Sequence, residues 1–267
     1  MSKGGADRAG RTPAEVYEEF FVPALFRHWG PVIAEAAGIR AGQRVLDVAC
    51  GTGVLAGAAA DRVGPDGTVV GLDPNEDMLA VARRKSRRIE WRGGRAESLP
   101  FPDESFDAVV SQFGLMFFED RKAALREMMR VLRRGGRLAV AVCDAVEHSP
   151  GYGEVARMLQ RLFGERVADA FRAPFSLGDP ELLLSLSADA GVAGAKVDRR
   201  EGTVRFASID SLISTERACV WTLGGMLDDA QFERLRTEAR QSLRPFVQAD
   251  GTVAFGMPAL LLTAAKA

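Results

Sequence analysis

VLDVACGTGVLA, residues 45–56, decides how the rest of the chain is read. An apolar run carries one acid, Asp47, and breaks at Cys50-Gly51-Thr52-Gly53 before small apolar residues resume. RVLDVA (44–49) has the pattern of a buried strand and VLAGAAADRV (54–63) that of a helix. A strand, a glycine turn and a helix in that order make a ligand-binding corner of an open α/β sheet. From Gly51 the spacing is G-x-G-x-x-A, inside the dinucleotide fingerprint but not diagnostic alone.

The same alternation continues outward. GTVVGLD (67–73) reads as strand after the turn signal GPDG, and NEDMLAVARRKS (75–86) as a helix capped by Asn75. RIEWRG (88–93) and FDAVVSQF (106–113) are further strands. RKAALREMMRVLRRGG (121–136) is expected to be an amphipathic helix stopped by a glycine C-cap, with RLAVAVC (137–143) as the next strand. This βαβα order predicts a doubly wound, Rossmann-like, mostly parallel sheet with helices on both faces. TPAEVYEEFFVPALFRHW (12–29) is a helical lead-in. Helical insertions are expected at about 144–190, closing on GDPELLLSLSADAG, and at about 208–245. AKVDRREGTVRF (195–206) reads as one strand. TVAFGMPALLLTAA (252–265) reads as a final strand at the sheet edge. The domain plan is thus a disordered lead-in over 1–11, an N-terminal helical lid over 12–40, and one domain over 41–267 carrying both insertions.

Composition excludes several classes. The net charge is −1, so no global field gathers nucleic acid or an anionic membrane. The basic run RRKSRRIEWRGGR (83–95) reads as a solvated helix face, because only Trp91 is interleaved in it. No apolar run is long enough to span a bilayer. The N-terminal residues lack the apolar core and cleavage site of a signal peptide. Cys50, Cys143 and Cys219 form no CxxC pair, which argues against a disulfide framework or a zinc site and suits a reducing cytoplasm. No cluster has metal-ligand spacing, so no metal is expected.

Two acids choose among adenosine ligands. Asp47 stands near the carboxyl end of the first strand, where it would repel a pyrophosphate and attract an ammonium group. The glycine loop contains no Lys or Arg. S-adenosylmethionine, cationic and free of phosphate, fits both facts. Gly51 and Gly53 lack a Cβ and would let the backbone approach it, and the following helix N-terminus would receive its carboxylate. Asp73 ends the second strand, where a carboxylate takes ribose hydroxyls in NAD and adenosylmethionine sites alike. Cys50 has no neighbouring His or Lys to activate it and reads as structural.

VLDVACGTG, GLDPNEDML, AESLPFPDESFDAVVSQFGLMFF and LRRGGRL together resemble a class I S-adenosylmethionine-dependent methyltransferase. They are similar in particular to the small-molecule branch that includes the ubiquinone/menaquinone-biosynthesis C-methyltransferases. The resemblance is close over about 40–143. It implies a seven-stranded sheet whose last strand is antiparallel. It implies that Asp47, Ala49 and Gly51 hold the methionine part. Asp73 would bind the ribose, with Pro74 and Met78 near the adenine and Ala96 and Glu97 at its edge. Gln112 and Phe113 would lie under the methyl group. Arg95 departs from the family, where an Asp commonly accepts from the adenine amino group. Arginine has no acceptor.

Methyl transfer needs orientation first and a base only where the acceptor is a hydroxyl or an acidic carbon. His148, in EHSPGY, is the best candidate base. Tyr152 would orient an acceptor, and Tyr17 would close over the amino-acid end of the cofactor. His28 reads as helix-terminal and structural, and most of the stripe Phe113 to Phe118 as core. The leading expectation is methylation of oxygen or carbon on a small, largely apolar acceptor in specialised metabolism. A quinone-pathway C-methyltransferase, a non-catalytic protein keeping the fold, and an NAD-dependent oxidoreductase are the alternatives; the intact Asp47 and Asp73 disfavour the second, and Asp47 the third. Oligomeric state is not legible.

Overall fold

The computed structural model describes residues 11–219 and 222–267, so all but Arg11 of the lead-in expected over 1–11 lies outside the described residues. Along the chain come α1 (Pro13–Val16), α2 (Trp29–Ala36), β1 (Arg44–Val48), α3 (Val54–Val63), β2 (Thr68–Asp73), α4 (Glu76–Lys85) and β3 (Glu90–Gly93). Then follow β4 (Phe106–Gln112), α5 (Arg121–Val131), β5 (Leu132–Cys143), α6 (Pro150–Phe163), α7 (Glu165–Arg172) and α8 (Pro180–Asp189). The chain closes with β6 (Lys196–Arg200), β7 (Thr203–Phe206), α9 (Ile209–Ala218), α10 (Asp229–Ser242), β8 (Val253–Gly256) and β9 (Ala259–Ala265). The segment Tyr17–Phe26 is a wide, π-type helix with Pro23 inside it.

The chain divides into two compact units. The sheet unit comprises Phe26–Val142, Leu177–Arg200 and Ala259–Ala267. Its seven strands run in the order β3-β2-β1-β4-β5-β9-β6. β1 to β5 are parallel neighbours, and β9 is antiparallel to β6. The expected seven-stranded, doubly wound fold with an antiparallel last strand is therefore present. β1 is buried from Val45 to Val48 because strands covered on both faces carry unbroken apolar runs. The order reverses between β1 and β4, which makes their carboxyl ends the switch point where ligands bind in such sheets.

Three local expectations are corrected. The helix α5 stops at Val131, and LRRGG is the start of β5 rather than a capped helix end. Strand partners take those residues: Leu132 pairs with Phe106, the Gly135 amide donates to Lys266 O, and Lys266 N donates to Gly136 O. Residues 195–206 form two strands, β6 in the main sheet and β7 in a separate ribbon with β8. The last apolar run also divides, at Met257-Pro258, and β9 enters the sheet between β5 and β6 instead of adding at the edge. Burial explains the exchange. Ala259 to Leu262 is wholly buried and suits an interior strand, whereas KVDRR is largely exposed and charged, as edge strands are.

The helical unit comprises the described residues up to Leu25, with Cys143–Ser176 and Glu201–Pro258. It holds α1, α6, α7, α9, α10 and the β7–β8 ribbon. Tyr152 on α6 is its aromatic centre, with the Phe255, Phe171 and Phe175 rings at 5.1, 5.8 and 5.9 Å. Gly151 is required there, because a Cβ at that position would lie 2.3 Å from the Phe255 ring. The helix α8, expected as the end of this insertion, belongs to the sheet unit and packs on α5 and β6. Its start is as read: Asp179 caps it, accepting from the Glu181 and Leu182 amides.

Candidate functional site

The carboxyl ends of β1, β2 and β4 bring together most of the residues assigned to the cofactor. Asp73 ends β2 and is 7% exposed. Its Oδ2 accepts from the Gly51 amide and its Oδ1 from the Asn75 amide, both at 2.8 Å. Each carboxylate oxygen carries a second lone pair, so Asp73 braces the glycine turn and still has acceptor capacity for two hydroxyls. Burial raises its pKa, and the two amides oppose that rise.

Asp47 is 1% exposed, and neither carboxylate oxygen has a hydrogen-bond partner. Burial pushes its pKa well above the carboxylate range; the Ala56 amide partly offsets this, and the charge of Asp73 adds to it. A buried polar group without a partner costs about 1–3 kcal/mol, and a charged one more. Thr52 Oγ1, Ser111 Oγ and Gln112 Oε1 are likewise buried without partners. The Gln112 amide nitrogen is engaged, donating to Phe26 O at 3.1 Å.

Backbone conformation marks the same place. Ala49, after β1, has φ +59°, and Phe113, after β4, has φ +54°. Left-handed backbone at a residue with a Cβ costs about 1–3 kcal/mol and collects at functional sites. The two loops meet closely, since a Cβ on Gly114 would lie 2.7 Å from the Ala49 Cβ. Phe113 is held by Phe26 at 5.5 Å and by Trp29, edge-on, at 5.8 Å. The chain sequence carries no signal for either strained residue.

The glycines divide their roles. Gly51 (φ +53°) presents its amide to Asp73. Gly53 (φ +86°) heads α3 without a side-chain cap. Its missing Cβ leaves room for Trp91, whose ring would lie 2.3 Å from a Cβ placed there. A Cβ on Gly71 would likewise lie 2.5 Å from the Trp91 ring, whose indole N–H donates to Ser86 O at 3.0 Å. One cation does reach the loop from outside it: Lys85 donates to Thr52 O at 3.0 Å.

Of the residues expected near an adenine, Met78 and Ala96 are buried and Pro74 is exposed. Glu97 is occupied: its Oε1 accepts from the Glu119 amide at 3.0 Å, and its Oε2 lies 3.5 Å from Arg95. Arg95 points to the acids, with its guanidinium 2.7 Å from Glu119. Cys50 is buried, and desolvation with two nearby carboxylates raises its thiol pKa well above normal, which keeps it unreactive. Cys143 and Cys219 are also buried and outside any disulfide.

Tyr17, His148 and Tyr152 belong to the helical unit. The Tyr17 ring stacks on Phe21 at 6.0 Å. His148 Nδ1 lies 2.9 Å from Oδ1 of the buried Asp144, an orienting contact that leaves half of the side chain exposed. Tyr152 is fully buried, and desolvation together with the charge of Glu216 and a hydrogen bond to it pushes its phenol pKa well above normal. It can therefore donate or orient, and cannot act as a base near neutrality. Glu216 on α9 was not singled out in the sequence; a charged residue two positions before Ala218 on a mixed helix carries no local cue. His28 is exposed, its ring tilted against that of Trp29 at 4.6 Å. Among the described residues no group of His, Cys, Asp and Glu could hold a metal, and no helix is long and apolar enough to cross a membrane.

Comparison with known proteins meets the same segment. The methyltransferase-domain family matches residues 46–140. A ubiquinone/menaquinone biosynthesis C-methyltransferase (UbiE) of Cronobacter sakazakii is 41% identical over 132 residues, 47% of this chain and 53% of that protein. The chain thus spans about half the length of the curated relatives it matches. The YcgJ protein of Bacillus subtilis superposes with TM-score 0.59 at 22% identity, over 90% of this chain and 98% of its own. A Haemonchus contortus phosphoethanolamine N-methyltransferase, solved with phosphomonomethylethanolamine and S-adenosylhomocysteine, superposes with TM-score 0.60 at 19% identity. That match covers 95% of this chain and 56% of the other. The motif resemblance and the fold expected from it are both met.

Proposed function

We propose that the protein, whose residues 46–140 match the methyltransferase-domain family, transfers a methyl group from S-adenosylmethionine to oxygen or carbon of a small, largely apolar acceptor. The observation that carries this reading is Asp47, a carboxylate buried without a partner at the switch point of the sheet. The ammonium of the methionine part completes it. Asp73 takes the ribose hydroxyls with the lone pairs its two backbone bonds leave free. The first-turn amides of α3, uncapped by any side chain, receive the ligand carboxylate. Met78 and Ala96 border the adenine, with Pro74 and Glu97 at the rim, and a backbone carbonyl accepts from its amino group because Glu97 and Arg95 are engaged elsewhere. Gln112 and Phe113 border the methyl group. When bound, the sulfonium supplies an activated methyl group; the protein's part is orientation and exclusion of water.

The acceptor is chosen by the helical segments expected over 12–40 and within about 144–190 and 208–245. His148, held by Asp144, is the proton acceptor where one is needed, and Tyr17 and Tyr152 position ligands. Specialised metabolism fits a chain whose close sequence match ends near residue 143. One observation favours a second reading, C-methylation in a quinone pathway: the UbiE relatives are 41–47% identical in the matched segment. The three buried thiols suit a reducing cytoplasm.

Calorimetric titration with S-adenosylmethionine, S-adenosylhomocysteine and NAD, repeated on Asp73→Ala, tests the reading. Binding of the first two, none of NAD, and loss in the variant are expected. Failure of both adenosyl ligands to bind would overturn it.

A further inference from the structure

Residues 94–105 form an irregular connection between β3 and β4 in the sheet unit. Irregular backbone has no ladder of its own, so partners for its polar groups come from elsewhere. The first amide, of Gly94, donates to Asp73 O at 3.2 Å, next to the pairing of Gly93 with Asp73. A tight turn follows. It is closed by a bridge between Arg95 and Ser98, the Ser98 amide donating to Arg95 O at 3.3 Å, and it buries Ala96.

The far end of that turn is held by two side chains of α5. Arg130 donates to Leu99 O at 3.0 Å, to Phe101 O at 2.9 Å and to Asp103 Oδ1 at 2.7 Å. It also donates to both oxygens of Glu127, at 2.7 and 2.8 Å. These bonds use every N–H that a guanidinium has. Glu127 Oε2 accepts in addition from the Leu99 amide at 2.8 Å. One bidentate pair therefore takes both backbone polar groups of Leu99, a geometry that fixes direction as well as distance. The bond from Arg130 holds the Glu127 carboxyl below its usual range. The Arg130 carbonyl ties down the end of the connection, accepting from the Glu104 amide at 3.1 Å.

Ligands of open α/β sheets lie across the carboxyl ends of the strands. A nucleoside with its ribose on Asp73 then brings its base to the turn after β3, the neighbouring strand. We propose that Arg130 and Glu127 are positioning residues for base specificity: by fixing Leu99 they hold the turn at Ala96 in the one shape that reads the edge of adenine. This deepens the S-adenosylmethionine reading and rests on it for the base. A fixed turn presents its backbone donors and acceptors in one order. Adenine offers an amino donor beside a ring acceptor. Hypoxanthine reverses both, with a carbonyl beside a ring N–H. Sites built for one hydrogen-bond pattern reject the other strongly. Lysine, a point charge on a flexible stem, cannot replace the guanidinium fork.

The test is calorimetry of the full chain with S-adenosylhomocysteine and S-inosylhomocysteine, which differ only in that edge. The unaltered protein should prefer the adenosyl ligand by at least about tenfold. The preference should fall below about threefold in Arg130→Lys and in Glu127→Gln, through weaker adenosyl binding. Glu127→Gln decides alone if circular dichroism shows that Arg130→Lys does not fold. Asp103→Asn touches Arg130 at an exposed side chain beyond the turn and should keep the preference. A preference retained in folded Arg130→Lys and Glu127→Gln would reduce the pair to a brace and overturn the proposal. Equal weakening of both ligands, or no preference in the unaltered protein, would overturn it too. Those results leave adenosyl binding in place, whereas binding of neither ligand to the unaltered protein would overturn the S-adenosylmethionine reading and the proposal with it.

Discussion

Asp47 in the sheet unit and Glu216 in the helical unit are both buried carboxyl groups without a cation, and they differ in what surrounds them. Asp47 stands at a strand end beside backbone amides, a second carboxylate and two strained loop residues. Glu216 stands among a phenol, a threonine hydroxyl, thiols and aromatic rings. Desolvation outweighs the hydrogen bonds from Tyr152 and Thr222 there, so the carboxyl pKa is raised to about 7. The contrast teaches that two carboxyl groups can both have raised pKa values through burial while their surroundings differ in kind.

The largest way to break the contrast is Gly53→Ala. The variant adds left-handed strain and a clash with Trp91, each about 1–3 kcal/mol. Urea unfolding should show a loss of about 3–5 kcal/mol, partly recovered by adding Trp91→Phe. Loss below about 1 kcal/mol would show that the turn tolerates a side chain.

Glu216 gives the next effect. Its pKa is about 7 in the folded protein against 4.5 in the unfolded chain. The folded state therefore keeps a proton that the unfolded state gives up across that window. Its contribution is fully present below about pH 4.5 and is lost as pH rises through 7, on the order of 3 kcal/mol in all. Denaturation midpoints measured from pH 5 to 8 should fall with pH, and Glu216→Gln should flatten the slope. Asp47 and Asp73, also raised, add slope of the same sign. Bound S-adenosylhomocysteine should remove their part and leave that of Glu216.

The smallest effect is Arg95→Ala. This side chain is exposed and turned to Glu119 and Glu97, and exposed pairs contribute little. Neither stability nor affinity for S-adenosylhomocysteine should change measurably. A clear gain in affinity would show that Arg95 opposes adenine binding.

Legibility followed the same boundary. In the sheet unit the strands and helices came directly from apolar runs, the Asn75 cap and the glycine turn, because each was set by local sequence and by continuous burial. Asp47 and Asp73 were found for that reason. What failed there was non-local. LRRGG reads as a helix end until Lys266, far along the chain, supplies its partners, and β9 reads as an edge until its burial against β5 and β6 is known. Trp91 reads as a lone aromatic in a basic run, and only the fold shows why Gly53 and Gly71 must be glycine. In the helical unit the partners of Tyr152 come from four separate segments, α7, the residues after it, α9 and β8, so no spacing announces them. Glu216 was missed for the same reason.

The central claim is that the Asp47 carboxylate waits for the ammonium of the cofactor. Calorimetry of the protein and of Asp47→Asn with S-adenosylhomocysteine and with 5′-methylthioadenosine, which lacks the amino-acid part, tests it most directly. The account predicts that Asp47→Asn weakens the first by about 30-fold, the magnitude of one charged hydrogen bond, and leaves the second unchanged. Equal effects on both ligands, or none on either, would contradict it.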